Sequence, residues 1–124
     1  MINRLELRLG NQLQNLRVIE LLRDHMVARV IGDQEVEVRY EDAEAFHISR
    51  EVLEMCGFVF RGDSVWGSHH QSPLWLNFET NGWYIRMDNA YVNRSHPIRT
   101  LHHLQNAWFD LTGQELRFES GVEA

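Results

Sequence analysis

The chain has 124 residues, 44% of them hydrophobic, which is enough for a core and too apolar for intrinsic disorder. Its formal net charge of −6 disfavours a nonspecific nucleic-acid surface, because such a surface needs clustered positive charge. All twelve basic residues are Arg, and this excludes a phosphate-loop lysine, a Schiff base and a lysine general base.

The cellular compartment is predicted from the absence of disulfide, signal-peptide and membrane-spanning patterns in the sequence. A single cysteine, Cys56, excludes an internal disulfide, and its apolar neighbours predict a buried thiol. The charged start of the chain has no signal-peptide core, and no apolar run is long enough to span a bilayer. We therefore expect a cytoplasmic protein that does not associate with membranes.

The first half of the chain has the pattern of a β-sheet. Turn signals separate three apolar or alternating segments, Val18–Leu22, Met26–Ile31 and Glu35–Tyr40. An extended segment, Leu5–Asn11, is predicted as the opening strand. Several short strands within 40 residues indicate a small SH3-like barrel or curled sheet.

A short helix and a hairpin follow. Ser49 is a good N-cap for a helix to Cys56, which Gly57 would end, and Phe58 then begins a strand. Farther along, Asn81-Gly82 is the strongest two-residue turn signal in the chain. This turn predicts the pairing of Thr80 with Trp83 and of Phe78 with Ile85.

That register separates two faces of the hairpin. Leu76, Phe78, Ile85 and Met87 form a core face, because side chains alternate along a strand. The opposite face carries large polar and aromatic side chains, namely Trp75, Asn77, Glu79, Tyr84 and Arg86.

The C-terminal part predicts a second helix, from about Leu101 to Leu111, with Thr100 as cap and Gly113 as stop. Its apolar stripe should pack on the hairpin sheet, and Glu115–Phe118 is predicted as a last strand. The expected fold is α+β: an SH3-like β-rich N-terminal half, a short helix, and an antiparallel hairpin sheet with a packed C-terminal helix. We expect a single domain, residues 1–124, with a β-rich lobe of about 1–47 and the other elements in about 48–119.

Three segments resemble a family of small uncharacterised bacterial proteins that occur in phage and mobile-element neighbourhoods. Leu104–Leu116, LQNAWFDLTGQEL, resembles that family's ending LQNLYFALTGEEL. Leu7–Asn11 is similar to its opening LRIGN, and Ile48–Phe58 to its PLTEEWLLKFGF segment. The order and approximate spacing match over nearly the whole chain. The chain departs from the family at Ala43–His47 and in the loop around His69.

The resemblance implies an accessory protein of phage or mobile-element origin. It carries no catalytic residues, and the chain contains no nucleophile, dinucleotide or phosphate-loop motif. No cofactor is expected. The leading hypothesis is therefore a non-enzymatic protein that binds a protein partner and modulates a host factor.

The polar face of the hairpin is the candidate binding surface. Trp75, Tyr84 and Arg86 are residue types typical of interface hot spots, and all three project from one side. Trp75 and Arg86 are close enough across the strands for a cation–π contact. Trp66 would extend the same surface. The alternative is that this face is a second core layer with Arg86 at its edge.

Seven histidines raise the alternative of a small metal-dependent enzyme that uses His69, His70, His96 and His103. The spacing argues against it, because adjacent histidines diverge by about 100° on a helix and no His-x-x-x-His or Cys-x-x-Cys pair exists. Stoichiometric metal in the untagged protein would support this alternative. Solvent-exposed histidines without a metal are the simpler expectation.

A weaker alternative is a nucleic-acid-binding module that uses aromatic and Arg side chains on the β surface. It predicts binding that weakens steeply with salt. The net charge makes nucleic acid an unlikely partner.

Overall fold

A computed structural model describes residues 2–30, 34–62, 66–70, 72–87, 90–92 and 97–118. It confirms the α+β class: two antiparallel sheets, of four and five strands, accompany a helix of twelve residues and one of six. The chain divides into two compact units. Unit 1 contains residues 1–47 and 100–115, and unit 2 contains residues 48–99 and 116–124.

The sheet of unit 1 is a meander in which each strand pairs with the next. Its three longer strands lie close to the predicted segments, and the finer SH3-like description stays a prediction. A bulge between Val18 and Glu20 interrupts the pairing of the second and third strands. The four strands are β1 (Gln12–Leu13), β2 (Leu16–Leu21), β3 (His25–Arg29) and β4 (Glu35–Arg39).

The opening strand predicted at Leu5–Asn11 is wrong. Arg4–Glu6 instead forms a single 3₁₀ turn, and the Oδ1 of Asn3 accepts a hydrogen bond from the Leu5 backbone N–H at 3.0 Å. This Asn cap competes with a strand because it satisfies the backbone locally. Leu5 is consequently 83% exposed.

The C-terminal helix, α2 (Leu101–Thr112), ends at Gly113 in the left-handed conformation as predicted. Thr100 occupies the N-cap position but makes no side-chain cap bond. The helix belongs to unit 1, whereas the sequence predicts that its apolar stripe packs on the hairpin sheet. An apolar stripe requires a packing partner but does not specify which sheet provides it.

Unit 2 begins with α1 (Arg50–Met55), and the Oγ of Ser49 caps it by accepting from the Val52 N–H at 3.2 Å. The strand predicted at Phe58 is confirmed. The five-stranded sheet has its strands in chain order, β5 (Phe58–Phe60), β6 (Trp66–His69), β7 (Ser72–Glu79), β8 (Gly82–Met87) and β9 (Ala90–Tyr91).

The hairpin of β7 and β8 has a register two residues away from the predicted one. Phe78 lies opposite Trp83 rather than Ile85, and Glu79 lies opposite Gly82. Thr80 and Asn81 therefore form the loop. A shift of two residues keeps every side chain on its predicted side of the sheet, because side chains alternate with period two. The predicted core face is nevertheless wrong at Phe78 and Met87, which are 44% and 47% exposed.

The conformation of Gly82 explains the shift. Its φ of +142° suits glycine, and a Cβ at this position would lie 2.9 Å from Cβ of Pro97. Trp83 and Ile98 exchange backbone hydrogen bonds of 2.9 and 2.8 Å beside it. Gly82 is thus used for a close approach of two backbone segments inside the sheet, not as a loop residue.

One face of the five-stranded sheet forms the core of unit 2. Gly67 leaves room on this face for the Phe60 ring, since a Cβ there would lie 2.6 Å from Phe60 Cζ. The fully or nearly fully buried side chains of this core include Leu53, Phe58, Leu74, Leu76, Ile85 and Ile98.

Two further features concern the whole of the described chain. Glu115–Phe118 is not a strand, although the sequence predicted one. No helix in the described part of the chain is long and apolar enough to cross a membrane.

Candidate binding site

The opposite face of the same sheet carries a continuous row of side chains. Cross-strand partners connect one residue from each of the five strands, so their side chains lie side by side. The row consists, in order, of Val59, Ser68, Trp75, Arg86 and Tyr91. Large side chains occupy every position except that of Ser68.

Stacking orders the larger members of the row. The Trp75 ring is parallel to that of Trp66, with centroids 4.5 Å apart and an interplanar angle of 17°. The Arg86 guanidinium lies 4.8 Å from the Trp75 centroid and 4.4 Å from that of Tyr91. Because β7 and β9 flank β8, the two rings approach the guanidinium from opposite sides. The cation–π contact predicted between Trp75 and Arg86 is therefore confirmed.

Buried groups support the stack. Tyr84 is only 5% exposed and meets the Tyr91 ring edge to face at 5.5 Å. Glu79 accepts hydrogen bonds from the Tyr91 hydroxyl and from Nδ2 of Asn77, the latter at 3.1 Å. Tyr91 is thus held from two directions, which reduces the entropy that it would lose on contact with a ligand.

A groove of about 860 Å³ opens beside the stack. Ser68 forms part of its floor, because its small side chain leaves a gap between Val59 and Trp75 in the row. The groove follows β6, and its lining includes Arg61 and Arg86 but no carboxylate among the described residues.

The structure brings together three of the four residues proposed from the sequence on one accessible surface. Trp66 is 55% exposed, and Trp75 and Arg86 are half-buried. Tyr84 lies on the predicted face, but it is buried and cannot be a contact residue. Its position in an alternating strand predicted the face and could not predict that Tyr91 covers it.

Sequence reasoning missed Tyr91, Arg61, Val59 and Ser68. Tyr91 lies on the short strand β9, and the pairing of β9 with β8 places it opposite Arg86. Nothing in the residue pattern marks Ser68, because its importance comes from the size of its neighbours in three dimensions.

The histidines proposed as metal ligands do not form a recognisable centre. His69 is buried, and its Nε2 donates to the Cys56 carbonyl oxygen at 2.9 Å, while its ring stacks on His70. His103 is exposed in unit 1, and His96 lies outside the described residues. Among the residues that the structure describes, no three His, Cys, Asp or Glu side chains are placed to hold one metal ion.

Burial perturbs three titratable groups outside the groove. It raises the pKa of the Cys56 thiol to about 12, so this cysteine is a poor nucleophile. It also lowers the pKa of His69 and of His102, the latter despite Glu6 at 3.6 Å. The expectation of exposed histidines is therefore wrong for these two.

Comparisons with protein-family models, with curated proteins and with solved structures find no match for this chain.

Proposed function

We propose that this protein is a non-enzymatic, cytoplasmic binding module that holds a segment of a partner protein in the groove along β6. The observation that carries the proposal is the groove of about 860 Å³ next to the half-exposed Trp66. The resemblance to phage and mobile-element proteins makes a host factor the expected partner.

The energetics of such a surface favour binding. Trp, Tyr and Arg dominate the affinity of protein interfaces because they contribute large contact areas at a low cost in conformational entropy. In this row, Trp75, Arg86 and Tyr91 already constrain one another by stacking. A partner would therefore meet a surface whose rotamers are largely fixed before contact.

A steric block provides the test. Ser68→Phe should fill the groove from its floor while leaving the core unchanged, because Ser68 is exposed on the face opposite the core. The matched control is Gln34→Phe, which adds the same ring at an exposed position of unit 1. Both variants should unfold at the wild-type urea concentration within error.

Wild type, Ser68→Phe and Gln34→Phe would each be immobilised and exposed to host-cell lysate, and retained proteins identified by mass spectrometry. We expect a partner that is retained by wild type and by Gln34→Phe and lost with Ser68→Phe. Equal retention by all three proteins, or no specific retention by any, would contradict the proposed function.

A further inference from the structure

We propose that the outer edge of β4 in unit 1 is a self-association surface, to which β4 of a second copy of this chain adds as an antiparallel strand. The inference is independent of the proposed function, because the residues that line the groove all belong to unit 2. It is carried by the direction of the backbone groups along β4 and by a residue order, Glu35-Val-Glu-Val-Arg39, that complements itself when it is reversed.

The edge position of β4 is the first observation. This strand is the last in the order of the four-stranded sheet, and it pairs with β3 along all five of its residues without a bulge. No second strand pairs with it in the described part of the chain. It contains no Pro, and bulges and Pro are two of the features that keep an edge strand from pairing with another chain. The strand is therefore regular enough to accept a neighbour.

The hydrogen bond that follows the last printed pair of β3 and β4 indicates which backbone groups point outward. The Val30 N–H donates to the Gln34 carbonyl oxygen at 2.9 Å, so these two opposite residues form a hydrogen-bonded pair. Opposite residues in an antiparallel ladder alternate between hydrogen-bonded and non-hydrogen-bonded pairs. Counting from Gln34, the N–H and C=O groups of Glu35, Glu37 and Arg39 therefore point away from β3 and towards the edge.

Two copies of β4 that are centred on Glu37 bring these outward groups together. Glu35 of each copy then lies opposite Arg39 of the other copy, and Glu37 lies opposite its own counterpart. Each of these pairs exchanges two backbone hydrogen bonds. Between them, Val36 of one copy meets Val38 of the other at a non-hydrogen-bonded position, where side chains approach most closely. Both valines are half-buried in one copy, so their contact extends the apolar side of the sheet.

Charge complementarity identifies a second copy as the occupant. In the centred register, Glu35 and Arg39 form a pair of opposite charge at each end of the contact. Within one copy, Arg29 lies 3.3 Å from a Glu35 oxygen, and Arg39 lies 3.3 Å from a Glu41 oxygen. Surface pairs of this kind contribute little to stability, so their charged groups can exchange partners. The two Glu37 carboxylates repel each other and limit the affinity.

The experiment uses charge reversals that break the end pairs singly and restore them in a mixture. Glu35→Arg places two arginines opposite each other at both ends, and Arg39→Glu places two glutamates there. A mixed dimer with one chain of each variant has opposite charges at both ends again. The matched controls are Arg17→Glu and Glu20→Arg, which change the net charge by the same amounts at exposed positions of the interior strand β2.

Sedimentation equilibrium of the full chain up to about 500 µM would give the dissociation constants. We expect wild type to dimerise with a dissociation constant of roughly 10–300 µM, because two five-residue strands bury less area than a standard interface. Glu35→Arg or Arg39→Glu alone should weaken dimerisation by roughly 10-fold or more. Their equimolar mixture and both controls should stay within about 3-fold of wild type.

Two further measurements separate the contact from the fold. Glu37→Gln removes the like-charge pair and should strengthen dimerisation roughly 2- to 5-fold. The urea midpoints of Glu35→Arg and Arg39→Glu should equal that of wild type, because both positions are exposed. A loss of dimerisation then reports on the edge of β4 and not on unfolding.

Three outcomes would overturn the inference. Wild type that stays monomeric at the highest concentration would reject self-association. Dimerisation that neither reversal weakens, or that the controls weaken as much, would place the contact away from the edge of β4. A mixture of Glu35→Arg and Arg39→Glu that associates no better than the separate variants would reject the register centred on Glu37. None of these outcomes bears on the groove, so the proposed function would stand or fall by its own test.

Discussion

Arg8 in unit 1 and Arg86 in unit 2 both lie over aromatic rings, but they serve different purposes. The Arg8 guanidinium is 4.3 Å from the Phe109 centroid, and its nitrogens donate to Asn106 at 3.1 Å and to Glu115 at 2.9 Å. It therefore fastens the start of the chain to α2, some 100 residues away. Arg86 instead stands in a row of side chains on an accessible sheet face.

The contrast extends to the segments around the two arginines. In unit 1, Asn106 Oδ1 also accepts from Asn11 Nδ2 at 2.8 Å, and Gln105 Oε1 accepts from the Gln12 N–H at 2.7 Å. These polar groups are satisfied inside the unit and hold the helix in position. In unit 2, large side chains are ordered by stacking beside an open groove. Polar residues are used for assembly in the first region and for recognition, we propose, in the second.

Two of the three motifs that suggested a family take part in the polar network of unit 1. Arg8 and Asn11 belong to the LRLGN segment, and Gln105, Asn106 and Glu115 belong to the LQNAWFDLTGQEL segment. The structure brings these two segments together through side-chain hydrogen bonds. Two of the three motifs thus contribute residues that assemble unit 1, and the third, Ile48–Phe58, contains α1 of unit 2. The groove is built from residues outside all three motifs.

The largest expected loss of stability comes from a substitution that disrupts the polar network of unit 1. Asn106→Ala removes the acceptor for Arg8 and Asn11, and it removes the donor to the Glu6 carbonyl oxygen at 2.7 Å. Leaving such groups without partners should lower the free energy of unfolding by roughly 2–3 kcal/mol. Urea denaturation followed by far-UV circular dichroism would measure it.

The control for Asn106→Ala is Asp110→Ala, one helical turn farther along α2. Asp110 is exposed, so its replacement should change the free energy of unfolding by less than about 0.5 kcal/mol. Both residues are polar positions on one helix, and their residue types alone do not distinguish them. An equal cost for both variants would contradict the distinction that the network makes between them.

A smaller effect should separate the two faces of the sheet in unit 2. Gly67→Ala would place a Cβ 2.6 Å from Phe60 Cζ, and the displaced ring should cost about 1–2 kcal/mol. Ser68→Ala, on the groove face of the same strand, should cost less than about 0.5 kcal/mol. Tryptophan fluorescence suits this measurement because Trp66, Trp75 and Trp83 all belong to unit 2. If Ser68→Ala were the more costly change, the assignment of the two faces would be wrong.

The smallest effect concerns pH and distinguishes the units by their buried histidines. Burial lowers the pKa of His102 in unit 1 and of His69 in unit 2, so the unfolded chain binds more protons in mildly acidic solution. Their stabilising contribution is present above the ordinary His pKa of about 6.5 and is lost as the pH falls through the folded-state value.

We therefore expect the urea midpoint to decrease as the pH is lowered from 7.5 to 5.5. His102→Gln should reduce this pH dependence when unfolding is followed by helical circular dichroism. His69→Gln should reduce it when unfolding is followed by tryptophan fluorescence. A midpoint that rises on acidification would contradict the neutral, buried state of both rings.

Local features of the sequence predicted much of the secondary structure. Ser49, Gly57 and Gly113 mark helix ends, because a side-chain oxygen or a glycine satisfies helix-end requirements within a few residues. Alternation in β7 and β8 predicted which side chains share a face. A register error of two residues did not change the side of the sheet on which each side chain lies, because side chains alternate with a period of two residues.

Tertiary structure decided the features on which the proposed function depends. The register of the hairpin followed from the backbone segment that approaches Gly82, and the place of α2 followed from polar partners near the start of the chain. The groove exists because Ser68 is small between two larger cross-strand neighbours.

The sequence by itself therefore determined an α+β chain with defined helix ends, strand periods and a polar aromatic sheet face, because these depend on interactions within a few residues. Only the tertiary structure decided that Tyr84 is buried, that Tyr91 completes the stack and that a groove opens along β6. Those properties depend on the sizes and positions of side chains from different strands, which spacing along one strand does not encode.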